Sequence, residues 1–194
     1  MALSTIGGLA LEMLPAGPGP SPGALESAKS SDDARRWLTD HSPAEVDQAL
    51  RTSLRSRLGV ELQMDFEFRF PPGGGHYQVP VRSHLDGERV NFPAALAKVR
   101  SAMTPPTIDQ AEGWLALLSV ATAGARRSEA GAEATMSLYA AYLRRYPADV
   151  AKAACEAMAT TSRWWPVLAD LLAACDRLAA PRRVMLAALE RACR

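Results

Sequence analysis

The proline doublet Pro105-Pro106 and the single prolines Pro147, Pro166 and Pro181 divide the second half of the chain into lengths that each carry an apolar stripe at helical spacing. Proline lacks an amide hydrogen and fixes φ, so it suits the first turn of a helix and disrupts its interior. Short amphipathic helices joined by tight breaks bury their stripes most simply by packing together as a bundle.

The stripes predict a helix over 107–123 with Ile108, Ala111, Leu115 and Leu118 inward, and another over 128–146 with Met136, Tyr139, Leu143 and Tyr146 inward. Pro147 is expected to end the second and open a third, which reaches about 160. Pro166 should open a fourth, burying Leu168, Leu171, Leu172, Cys175 and Leu178. Pro181 should bend or break that helix before a last stretch to Cys193.

The first half reads differently. Residues 32–38 predict a short helix, and Ser42-Pro43-Ala44-Glu45 is a capping box with proline at the first helical position. The helix it starts has Val46, Leu50, Leu54 and Leu58 on its core face and ends at Gly59. Val60, Leu62, Met64, Phe66, Phe68 and Phe70 then alternate with polar residues, the period of a strand. Pro71-Pro72-Gly73-Gly74-Gly75 reads as a turn, and Tyr77, Val79 and Val81 as a returning strand that Pro80 confines to an edge. An isolated hairpin is marginal in water, so its apolar face is expected to cover a helix. A helix over 93–103 precedes the proline doublet. Upstream, Leu3, Ile6, Leu9 or Ala10, and Met13 share a stripe weakened by Gly7-Gly8, and the proline- and glycine-rich stretch 15–31 reads as a linker.

The expected fold is therefore mainly α: a C-terminal four- to five-helix bundle preceded by a smaller α+β segment with a β-hairpin. The expected division is a flexible arm and linker over 1–31, the helix-helix-hairpin-helix segment over 32–106, and a bundle over 107–194 able to fold alone.

Net charge is +1, and the charges are evenly spread: 11 basic and 12 acidic side chains in 1–106, 11 and 9 in 107–194. No global field attracts nucleic acid, so any such contact must come from a local patch. Three widely spaced cysteines without a C-x-x-C fit a reducing compartment. The first residues lack the positive region of a signal peptide, and no apolar run reaches the ~18 residues of a membrane span. A cytoplasmic protein is expected. Arginine outnumbers lysine 19 to 3, which suggests a high-GC bacterium or one of its phages.

No set of residues assembles a catalytic site. His41, His76 and His84 lack metal-ligand spacing; His76 and His84 with Asp86 and Glu88 would need facing strands, and exposed hairpin histidines are the simpler reading. The glycine run lacks the lysine and hydroxyl of a phosphate loop, and no Gly-x-Ser-x-Gly or neighbouring Cys–His pair is present. The expectation is a protein that is not an enzyme and holds no metal or cofactor. The pairs Arg35-Arg36, Arg126-Arg127, Arg144-Arg145 and Arg182-Arg183 read as solvated faces or helix ends. Arg51, Arg55 and Arg57 lie off the core face of the second helix, and two helices followed by a hairpin would suit a winged helix-turn-helix DNA reader. In Trp164-Trp165-Pro166, Trp165 is expected to staple beneath the fourth helix, while Trp164 stays partly exposed as an interface anchor.

Tyr146-Pro147-x-x-Val150 followed by Trp164-Trp165-Pro166-x-x-x-Asp170-Leu171 resembles small all-helical phage and prophage proteins of the replicative-helicase-loader type. The likeness spans about 107–189. Val167 stands where that family commonly has a hydroxyl residue, and Asp170 where it has glutamate. The resemblance implies an adaptor without chemistry of its own, which binds a hexameric replicative helicase, holds it inactive and delivers it for DNA replication. The residues expected to meet the partner are Arg163, Trp164, Trp165, Arg182 and Arg183, with Leu3, Ile6 and Leu9 on the arm. The alternatives are a phage-encoded inhibitor of a host or defence enzyme, and a DNA-binding regulator using Arg51, Arg55 and Arg57.

Overall fold

A computed structural model describes residues 30–70, 77–123 and 129–194. Among these the chain is mainly helical, with a two-stranded antiparallel hairpin in its first half and packed helices in its second. The expectations placed on Leu3, Ile6 and Leu9, on the turn at 71–76 with His76, and on Arg126-Arg127 lie outside the described residues.

Helix α1 spans Ser31–Thr39, and Ser30 caps it by accepting from the Asp33 amide at 3.2 Å. Helix α2 spans Pro43–Leu58. Its capping box is closed in both directions: the Ser42 amide donates to Glu45 Oε2 at 2.7 Å, and the Glu45 amide donates to Ser42 Oγ at 3.3 Å. The bond from the Ser42 amide is the main reason the Glu45 carboxyl sits below its ordinary range. Gly59 ends the helix at φ 59°, a conformation that glycine adopts without a Cβ clash.

Strands β1 (Glu61–Arg69) and β2 (Tyr77–Asp86) pair antiparallel. Asp65 faces Arg82 and Phe66 faces Pro80, so Val81 is the extra residue of a bulge. The near half of the hairpin does what its alternation predicts: Leu62, Met64 and Leu85 pack on the core. The far half does not. Phe66, Phe68 and Phe70 are exposed, although Pro80, which faces Phe66 across the ladder, is buried.

Helix α3 is Phe92–Ser101 and α4 is Ile108–Ala121. The latter starts at a Thr107/Gln110 capping box that the hydrophobic pattern did not signal, and Ile108, expected inward, is exposed. Helix α5 is Glu129–Leu143, and α6 is Ala148–Thr161, with Pro147 at its N-cap position. Helix α7 runs unbroken over Leu168–Ala192. Two expectations need correction here. Pro166 does not open α7, since Val167 is its N-cap residue. Pro181 does not end it: the missing amide costs about 3 kcal/mol in a helix interior, and burial of Ala179, Arg182 and Met185 around it offsets that cost.

Two buried clusters meet along α7. One joins Trp37, Leu38, Val46, Leu50, Leu54, Leu96 and Val99 of the first half to Ala148, Met185 and Leu189 of the second. The other joins Leu115, Leu118, Tyr139, Leu143, Val150, Cys155, Leu171 and Cys175 within the second half. The segment around the proline doublet is tied to both sides: the Ala148 amide donates to the Thr104 carbonyl at 3.0 Å, and Arg35 Nε to the Pro105 carbonyl at 2.8 Å.

Arg182 lies where the clusters meet and is wholly buried. All five of its N–H groups are directed at acceptors. Nε donates to Asp47 Oδ1 at 2.8 Å; Nη1 donates to Asp149 Oδ1 at 3.0 Å and the Ala102 carbonyl at 2.7 Å. Nη2 donates to Asp149 Oδ2 at 2.7 Å and, more weakly, to the Pro43 carbonyl at 3.4 Å. The expectation that Arg182 belongs to a solvated helix end is therefore corrected. Burial works against its charge, but the bonds and charges of Asp149 and Asp47 outweigh that and hold its pKa above the ordinary value.

Candidate protein-docking site

The stretch between α6 and α7 is extended, so consecutive side chains point to opposite sides. Its backbone is fastened to Ala123, just past the Thr122 C-cap of α4. The Ala123 amide donates to the Arg163 carbonyl at 2.9 Å, and the Trp165 amide donates to the Ala123 carbonyl at 3.0 Å. These two bonds flank Trp164 in a one-residue parallel bridge.

Alternation then separates the tryptophans. Trp165 turns inward and tilts against Tyr139, ring centres 5.4 Å apart, while the Tyr139 hydroxyl donates to the Pro166 carbonyl at 3.1 Å. Its indole N–H is buried without an acceptor among the described residues, which subtracts about 1–3 kcal/mol from the value of the packing. Trp164 turns outward and is 62% exposed, its ring 5.4 Å from the Arg163 guanidinium. Val167, two positions on from the inward Trp165, is exposed as well. On α4, Leu117 and Val120 are exposed one turn apart, upstream of the Ala123 bridge. A cavity of about 60 Å³ lined by Trp114, Leu117, Leu118, Cys155, Glu156 and Ala159 opens beside them. Trp164, with Leu117 and Val120 on the helix that leads to its bridge, gives this end of the bundle exposed apolar residues on a hydrogen-bonded support, while Val167 lies on the Trp165 side of the stretch. Single exposed apolar residues are ordinary, but grouped ones mark contact sites.

The remaining candidates fall elsewhere. Arg183 is partly exposed but engaged: Nη1 donates to Asp176 Oδ1 at 2.6 Å, the Tyr146 hydroxyl donates to the same atom at 2.9 Å, and the guanidinium stands 4.9 Å from the Tyr146 ring. Arg182 is sealed in the interior and cannot meet a partner. Arg51 and Arg55 line an open cleft between α2 and β1, which Arg57 does not. The helix, turn, helix, hairpin order expected of a winged reader is present in α1, α2, β1 and β2. Leu117 and Val120, which complete the apolar surface, escaped sequence reading because they lie on the side of α4 opposite its core stripe; a second stripe on that helix was the available signal.

The described residues carry little reactive chemistry. Burial pushes the Cys155 and Cys175 thiols up to about 12, so neither forms a thiolate near neutral pH. Among the described residues no three His, Cys, Asp or Glu side chains are grouped to hold a metal, and no helix is long and apolar enough to cross a membrane. His84 Nε2 meets Asp65 at 3.0 Å on the exposed hairpin, and His41 Nδ1 lies 2.7 Å from the Trp37 carbonyl. Compared with protein-family models, curated proteins and solved structures, the chain finds no match.

Proposed function

We propose that this protein is a non-enzymatic adaptor that docks a partner protein through the Trp164 end of its bundle, and that the partner is a hexameric replicative helicase. One observation carries the docking reading: a tryptophan side chain is held in solvent while the backbone on both sides of it is hydrogen-bonded in place. Large aromatics presented on a rigid support are the usual anchors of interfaces, because little freedom is left to lose on binding. Choosing a helicase rests on the resemblance of the Tyr-Pro-x-x-Val and aromatic-aromatic-Pro pattern to phage and prophage loaders. In this reading the protein acts in the cytoplasm, in phage DNA replication.

The test is titration of a purified replicative helicase from a high-GC bacterium with the protein, read by interferometry. Wild type should bind, and Trp164→Ala should weaken binding at least about 30-fold, the effect of a hot spot worth about 2 kcal/mol. Absence of a complex would remove the helicase as partner. A complex indifferent to Trp164→Ala would remove this surface as the docking site.

A further inference from the structure

Away from the docking surface, α2 and the start of β1 border an open cleft of about 210 Å³, lined by Gln48, Arg51, Thr52, Arg55, Glu61 and Leu62. Positions 48, 51, 52 and 55 follow one another at spacings of three, one and three, so these four donors share one face of the helix. Arg51 Nε is buried with no hydrogen-bond partner, and among the described residues neither Arg51 nor Arg55 joins an ion pair. The buried acid on the same helix, Asp47, is hydrogen-bonded to Arg182 and attracts Arg51 only through space, without a bond to it. A buried guanidinium N–H without an acceptor is costly, and a second cation on the same cleft wall adds to the demand for negative charge.

We propose that this cleft is an oxyanion site that takes a phosphate group. Arg51 and Arg55 supply the charge, and Gln48 and Thr52 supply neutral donors. The volume admits a tetrahedral oxyanion with some of its water. Glu61 is the one acidic side chain in the lining and opposes the ligand, so it sets a ceiling on affinity. The phosphate has two sources: a free or small-molecule phosphate, or one in the backbone of duplex DNA, which suits a helix followed by a hairpin. The inference stands apart from the docking surface and survives its failure.

The experiment follows the arginine Nε–H resonances of the whole chain by NMR, with Arg51 assigned through Arg51→Lys. Inorganic phosphate should move the Arg51 resonance saturably, and chloride at matched ionic strength should not. Arg55→Gln, at an exposed position that tolerates change, should weaken phosphate about tenfold, and Glu61→Gln should tighten it. A second arm measures a short fluorescent duplex at two salt concentrations. A DNA source predicts binding whose salt slope falls by about 1 in Arg55→Gln; phosphate binding without DNA binding assigns the site to a small ligand. Equal responses to phosphate and chloride, or an Arg55→Gln protein that behaves as wild type, overturn the proposal.

Discussion

The interior around Arg182 and the surface around Trp164 arise from stretches 18 positions apart in the sequence, and the fold uses them in opposite ways. Arg182, the more polar, is sealed between two cores, where five hydrogen-bond contacts hold helices α2, α6 and α7 and the end of α3 together. Trp164, the more apolar, is left in solvent on a hydrogen-bonded backbone. The difference teaches that exposure here follows geometry more than residue type. An extended segment must alternate, so one of two adjacent tryptophans faces out. A 25-residue helix crossing two cores must bury whatever stands on its inner stripe, even an arginine.

Breaking the sealed side should have the largest effect. Arg182→Met leaves Asp47 and Asp149 buried without their cation and should cost about 3–5 kcal/mol. Urea unfolding would show it, and an unchanged midpoint would mean that the carboxylates find water or each other. Next comes the join between the halves. Leu189→Ala should cost about 2–5 kcal/mol and shift a single transition seen by every probe. For the same reason residues 107–194 are not expected to fold by themselves, in contrast to the autonomy suggested by the proline doublet: excision would strip Arg182 of Asp47, and Met185 and Leu189 of their cover. A cooperative melt of that fragment would restore the two-unit view.

On the open side, Trp165→Ala should cost about 3 kcal/mol, the low end for a tryptophan that is only partly buried. Trp165→Phe should be close to neutral, because it keeps an aromatic ring against Tyr139 and removes the orphaned N–H. Trp164→Ala should change stability by less than about 0.5 kcal/mol. If the two alanine variants melt alike, the inward and outward assignment fails.

A smaller effect sharpens the account of the sealed cluster. Burial raises the Asp47 carboxyl above its ordinary value, despite Arg182. Its favourable contribution to folding is thus fully present below the unfolded pKa and is lost as pH rises through the folded one. Asp47→Asn abolishes that dependence, so the variant should gain on wild type as pH rises above the ordinary aspartate range and through the raised folded value. Asp47 makes one contact with Arg182 where Asp149 makes two, so Asp149→Asn should be the more damaging.

Much of the fold was legible because its causes are local. The Ser42–Glu45 box, the αL glycine at position 59 and the strand alternation each lie within a short window. The bulge at Val81 was not legible, since it shows only in the register of two strands. Nor was the role of Arg182, whose acids stand 135 and 33 residues away. A signal did exist: Leu171, Cys175, Leu178, Arg182, Met185 and Leu189 form one stripe, with a charge in its middle. Asp47 and Asp149 likewise sit beside Val46 and Val150 on inner faces. A charge placed on an apolar stripe asks for a buried counterion, which is a stronger rule than the habit of reading Arg-Arg as surface. At the candidate docking site, the exposure of Trp164 was legible from its doublet, whereas the neighbourhood of α4 required the Ala123 bridge.

The most direct measurement is hydrogen exchange by mass spectrometry on the protein with and without the purified hexameric helicase. New protection is expected over 117–123 and 162–167, with the core stretch 177–189 unchanged. Protection confined to the hairpin strands at 61–86, with none at 162–167, would contradict it.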